Sequence, residues 1–294
     1  MTPAELQGKA DRDSDRKRIF DRSSGILLHP TSLPGPYGIG EIGGAALGFI
    51  DSLARAGQTL WQILPINATG NNASPYSATT TFAANALMID MAGLIEMGLL
   101  SEDEVRHLKD LPQIKVDFDV TIPARMAVLM LAGTRLAAKD GAGLDKFKAQ
   151  HGVSWLFDYA LFEAIWLYDY ALFEAISVAR GRQGWMYWPD GLRKRDPAAL
   201  EQARRELASD IAAITALQYL FDVQWRGVRS YAASKNIMLI GDMAIFVAHD
   251  SADVWARPDL FKLDENFNPI FGAGVPPDYF SATGQLWGNP IYDW

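Results

Sequence analysis

Short apolar runs and an amphipathic stretch alternate along the front of the chain. Gly25-Ile26-Leu27-Leu28 is flanked by turn residues and reads as a buried strand. It breaks into His29-Pro30-Thr31-Ser32-Leu33-Pro34-Gly35-Pro36, a loop by its prolines and glycines. Residues 45–56 show helical spacing, with Gly57 placed as a stop. Leu60–Ile66 reads as a second buried strand, and Pro65 stands at its end, where a missing backbone donor does little harm. A long polar loop, Asn67–Thr81, follows. Strand, helix, strand, with long loops after the strands, is the pattern of a parallel α/β protein.

From Leu94 to about Ala216 the pattern is mostly helical. Ser101 and Glu104 form a capping box, and Asp196-Pro197 opens another helix with Asp as N-cap and Pro in the first turn. We read this span as a helical insertion. Within it, Trp155–Ile165 is followed at once by Trp166–Ile176, identical at ten of eleven positions. Eleven residues are close to three helical turns, so the second copy presents nearly the same face and lengthens a helix by roughly 16 Å. The repeat reads as a tandem duplication without new function. The alternative is a sugar-stacking aromatic stripe, but aromatics at helical spacing are usually core. Beyond it, residues 217–234 predict a helix. Asn236–Gly241 predicts a third buried strand, with Asp242 at its carboxyl end. The tail, Phe271–Trp294, is rich in Gly, Pro, Asn and aromatics and reads as a loop system without regular elements.

Charge and composition narrow the classes of function. The 294 residues carry a net charge of −8, which argues against nucleic acid and acidic membrane surfaces as main partners. With no cysteine, disulfides, thiolate metal sites and Cys nucleophiles are excluded. The first twenty residues lack the apolar run of a signal peptide, and no run of about 18 apolar residues predicts a membrane span. A cytoplasmic protein acting on neutral small molecules is the expectation.

Parallel α/β sheets place their sites at the carboxyl ends of strands. Three such ends are visible: 29–36, 67–76 and 242–253. Taken alone, Asp242 is as easily a helix cap or structural acceptor as a functional carboxylate. Pro276–Pro290 sets aromatics beside amides and hydroxyls, which suits the C–H faces and hydroxyls of a sugar. It suits equally a loop packed by its own side chains. There is no Walker loop, nucleophile elbow or metal motif. The four histidines are scattered, and Arg193-Lys194-Arg195 with Arg204 and Arg205 reads as an exposed helical face.

Several of these segments match a known family. Gly25–Gly40, Gly57–Pro65, Ser74-Pro75-Tyr76, Asp169–Phe173, Leu192–Leu200, Gly241-Asp242, Asp250–Trp255 and above all Gly274–Pro290 resemble the 4-α-glucanotransferases (amylomaltases) of glycoside hydrolase family 77. The resemblance implies a (β/α)8 barrel with helical insertions. It also implies transfer of α-1,4-glucan segments between maltodextrins by retaining double displacement, without a cofactor or metal. By the same resemblance, Asp242 is a supporting active-site carboxylate, and Ser74 and Tyr76 line the donor groove. Asp278, Tyr279, Phe280, Ser281, Gln285 and Trp287 then belong to a loop that covers the glucan and shields the intermediate from water.

The implied organisation is a polar segment over 1–24, the first part of the barrel with two strands over 25–93, the helical insertion over 94–216, and the third strand with the covering loop over 217–294. The family's nucleophilic Asp and acid/base Glu follow the fourth and fifth strands. They are expected beyond Trp294, so the fold expectation is an incomplete barrel of three strands. Asn71 stands where an aromatic helps to hold a second stretch of glucan. Two readings follow: part of an active glucanotransferase, or a maltodextrin-binding fragment without catalysis.

Overall fold

The computed structural model describes residues 22–70, 73–151 and 169–294. Most of the polar lead-in, Asn71 and the first copy of the repeat lie outside the described residues.

Three strands form a parallel sheet: β1 (Gly25–Leu27), β2 (Leu60–Gln62) and β3 (Met238–Ile240), in that order. Gly25, Leu60 and Met238 stand in register, as do Ile26, Trp61 and Leu239. Between β1 and β2 runs α1 (Gly44–Arg55), which buries Ala46, Ile50 and Leu53, the i, i+4, i+7 stripe of an amphipathic helix. Gly57 ends it with φ +68°, a left-handed conformation that suits glycine.

The excursion from β2 to β3 is helical. It contains α2 (Met91–Glu96), α3 (Glu102–Val105), α4 (Phe118–Lys139) and α5 (Gly141–His151). Then come α6 (169–179), α7 (Asp190–Arg193), α8 (Pro197–Glu206) and α9 (Ala208–Ser234). The capping box at Ser101 and Glu104 is present, and Asp196 caps α8 through the backbone N–H groups of Ala198 and Ala199. The helix expected from 217 begins at 208, because Ala213, Ile214 and Ala216 continue its buried face.

Helices α4 and α9 pack along each other at Gly133, where a side chain would stand 2.6 Å from the Ala213 carbonyl oxygen. By length and composition alone α4 could cross a membrane, yet Val128, Leu129, Ala132 and Leu136 lie in the protein core. Two glutamines of α9 pin the segment before α2. Gln218 holds both backbone groups of Ala84, at 2.9 and 3.1 Å, and Gln224 both of Asp90, at 2.8 and 3.2 Å.

One hydrophobic cluster joins α1, β2, α4 and α9 around the fully buried Trp61. Inside it Arg125 donates to Glu41 at 2.7 Å and to the carbonyls of Tyr37 and Ile89, with both side chains buried. Burial pushes Glu41 up to about 7, against the pull of the guanidinium. The second cluster gathers Tyr170, Leu172, Phe173 and Ile176 of α6 with Trp185, Trp188 and Trp255. The described part of the second repeat copy is therefore core rather than a sugar platform.

Three expectations are corrected. The strands are not buried on both faces: every residue of β1 is exposed, and Met238 and Ile240 of β3 are 59% and 37% exposed. Helices pack on the face carrying Trp61 and Leu239, and the other is left partly open at Leu27, Met238 and Ile240. The tail is not structureless, since β4 (Gly272–Val275) and β5 (Gln285–Pro290) form an antiparallel hairpin. Glycine serves close approach there: a Cβ on Gly274 would lie 2.4 Å from the Gln285 carbonyl oxygen. Finally, Arg195 is not part of an exposed face. It pairs at 2.9 Å with the buried Asp169 and stacks 4.3 Å from the Trp255 ring centroid.

Candidate functional site

The loops that leave the carboxyl ends of β2 and β3 meet. Two backbone bonds, Ala248 N–H to Ala78 O and Ala252 N–H to Thr79 O, both 2.9 Å, join them side by side. At the far end of this seam the Tyr76 hydroxyl donates to Asp242 Oδ2 at 2.6 Å, although the two residues are 166 positions apart. The other carboxylate oxygen of Asp242 accepts the Met243 N–H at 2.8 Å. Asp242 therefore caps no helix; its backbone turns away and its carboxylate faces the neighbouring loop. The hydrogen bond and negative charge of Asp242 raise the Tyr76 phenol above its ordinary value, so it keeps its proton and remains a donor.

Around this pair lies a cleft of about 710 Å³, lined by Ser74, Tyr76, Ser77, Asp242, Met243, Ala244, Ile245, Phe246, Trp287 and Asn289. The chemistry of this lining is that of a sugar site: one carboxylate, hydroxyls and an amide beside apolar and aromatic faces. The hairpin reaches the cleft through β5. Asn289 donates to the Val247 carbonyl at 2.8 Å and ties the hairpin to the loop after β3. Gln285 accepts the indole N–H of Trp287 at 3.0 Å, which fixes the half-exposed ring against the opening.

The expected site residues divide into two groups. Ser74, Tyr76, Asp242 and Trp287 converge on the cleft, and Gln285 supports Trp287 from beside it. Asp278, Tyr279, Phe280 and Ser281 sit instead at the hairpin tip. Asp278 accepts the backbone N–H groups of Phe280 and Ser281 at 2.9 and 2.8 Å, and the Ser281 hydroxyl donates to the Gly284 carbonyl at 2.6 Å. These two polar side chains fold their own turn. Tyr279 and Phe280 are 97% and 89% exposed and meet edge to face. Met243, Ile245 and Phe246 lie in the strand-end loop 242–253 and Asn289 in the Pro276–Pro290 segment, but sequence reasoning singled out none of the four. The partner of Asn289 becomes known only once the two loops meet.

His29, at the end of β1, is buried, and its imidazole is lowered to about 4 by desolvation, opposed by a hydrogen bond to the backbone of Leu64. Among the described residues, no cluster of three or more His, Asp or Glu side chains could hold a metal ion.

Comparison with known proteins places this arrangement. The sequence model of glycoside hydrolase family 77, described as 4-alpha-glucanotransferase, matches residues 28–294. The 4-alpha-glucanotransferase of Thermus thermophilus is 43% identical over 277 residues, 93% of this chain and 52% of that protein. The chloroplastic/amyloplastic 4-alpha-glucanotransferase of Solanum tuberosum is 40% identical, over 93% of this chain and 46% of that protein. The amylomaltase of Streptococcus agalactiae, solved in complex with acarbose, superposes with a TM-score of 0.84 at 37% identity, covering 93% of this chain and 54% of that one. The amylomaltase of Corynebacterium glutamicum shares the fold, with a TM-score of 0.67 at 20% identity over 97% of this chain and 37% of that one. The chain spans about half the length of the curated relatives it matches. It belongs to the 4-alpha-glucanotransferase family.

Proposed function

We propose that these residues form one wall of the glucan groove of a 4-α-glucanotransferase, and that their sheet is an arc of a (β/α)8 barrel. The observation that carries the reading is the Tyr76–Asp242 pair facing Trp287 across the cleft. In this reading Asp242 accepts hydroxyl donors of a glucose unit, and Tyr76 holds the carboxylate at a fixed angle. Trp287 packs against a pyranose face, and Ser74 adds a hydroxyl. The exposed Tyr279 and Phe280 close over the bound chain.

Retaining transfer needs two carboxyl groups about 5–5.5 Å apart, one to attack the anomeric carbon and one to serve as acid and then base. Asp242 is the only carboxylate among the described residues lining the cleft. In this reading the nucleophile and acid/base are residues other than these, and the contribution of the cleft residues is binding and orientation of the glucan.

The folded chain is incubated with maltotriose, with binding read by calorimetry and products by chromatography. Binding without new products is the expected result. Glucose with a ladder of longer maltodextrins would overturn the division of labour, and absence of binding would overturn the groove.

A further inference from the structure

Below the Tyr76–Asp242 pair, the same two loops are joined a second time. Helix α10 (Ala252–Ala256) begins at Ser251, whose hydroxyl oxygen accepts the Val254 N–H at 3.2 Å. In its first turn Asp253 points across to the loop after β2. Its Oδ1 accepts the Thr81 hydroxyl at 2.6 Å, and the Thr81 backbone N–H lies 3.2 Å from each carboxylate oxygen. The hydroxyl of the buried Thr80 adds a further donor. These donors come from a single dipeptide, and among the described residues no cation pairs with Asp253: the neighbouring Arg257 is engaged by both oxygens of Asp259. Thr81 lies five residues beyond Tyr76 and Asp253 eleven beyond Asp242, with the two backbone bonds of the seam between them.

We propose that Asp253 is a positioning residue: by clamping Thr80-Thr81 it sets the separation of the two loops and thereby the Tyr76–Asp242 hydrogen bond. An acceptor on α10 suits this point, where Thr81 turns both its N–H and its hydroxyl toward the helix. Both oxygens are used, so an amide in place of the carboxylate turns one donor against the Thr81 N–H. Burial raises the Asp253 carboxyl above its ordinary value while the threonine donors pull it back. The ionised carboxylate thus leans on these donors.

The test needs no ligand in its first arm. The full chain is labelled with tyrosine carrying 13C at the phenolic carbon, and Tyr76 is assigned by its absence in Tyr76→Phe. A phenol that donates to a carboxylate is displaced in shift from free tyrosine. Asp253→Asn and Thr81→Val, each checked for folding by circular dichroism, are expected to remove at least half of that displacement, and Thr81→Ser to retain it. A Tyr76 resonance unmoved in folded Thr81→Val overturns the proposal even if Asp253→Asn does not fold. The second arm rests on the glucan-groove reading. Maltotriose affinity should fall at least fivefold in Thr81→Val but less than twofold when Tyr76→Phe is already present. Equal losses in both backgrounds would mark a merely structural residue and overturn the proposal. A wild-type chain that binds no maltotriose sinks the groove reading alone, and the resonance still decides the clamp.

Discussion

The two faces of the three-stranded sheet are built from alternate residues of the same short strands, yet they live in different solvents. On one face Trp61 is fully buried, donates its indole N–H to the Leu28 carbonyl at 2.7 Å and meets the Phe49 ring edge-on at 5.2 Å. On the other, Leu27 and Ile240, in register across Gln62, stand exposed, as does Met238 two residues away. Both faces carry apolar side chains, but helices pack against Trp61 and Leu239 on only one, and even there Ile26 at the edge is 45% exposed. An apolar side chain contributes through the water it leaves, so the difference lies in the neighbours rather than in the strand.

The comparison is sharpened most by Trp61→Ala. Removing a large buried side chain leaves a cavity, and chemical denaturation should show a loss of about 4 kcal/mol. Arg125→Met should come next, at about 3 kcal/mol by the same measurement, because Glu41 is left buried without its partner. Third is the response to acid. The folded His29 titrates at about 4, below its ordinary 6.5, so the unfolded chain binds the proton first. Its contribution is complete above 6.5 and is lost as pH falls toward 4, by up to about 3 kcal/mol from the size of the shift. Glu41, raised from 4.5 to about 7, acts in the opposite sense over an overlapping window. The His29 share is therefore read as the difference in slope between wild type and His29→Gln, and equal slopes would refute it. Smallest is Met238→Ser on the open face, expected within about 0.5 kcal/mol, with reduced self-association by light scattering. A loss approaching that of Trp61→Ala would break the comparison and mean that the face is covered in solution.

The candidate site shows the same split between what is local and what is assembled. Asp242 was legible as a carboxylate at a strand end, and Tyr76 as an aromatic on a loop after a strand. Their hydrogen bond was not, because it joins residues held together only when β2 and β3 pair. At the hairpin tip the local partners are the ones the structure shows. Asp278 and Ser281 carry sugar-compatible groups, but turn geometry claims them first, since a short polar side chain beside its own backbone N–H groups finds partners there without help from the fold. Arg195 likewise read as one charge in a basic run until Asp169 and Trp255 arrived from elsewhere.

The sequence by itself determined the parallel α/β pattern, the capping box at Ser101, the cap at Asp196, the stop at Gly57 and membership of the family. Each is written within a few residues, in backbone preferences and hydrogen bonds reaching one helical turn, or in motifs whose order along the chain suffices. Tertiary structure alone decided which sheet face is wet, that a glycine-rich tail pairs as a hairpin, and that Tyr76 meets Asp242 above the Thr81–Asp253 contact. Those outcomes depend on groups far apart in sequence that have no reason to be near one another until the helices and strands between them have packed.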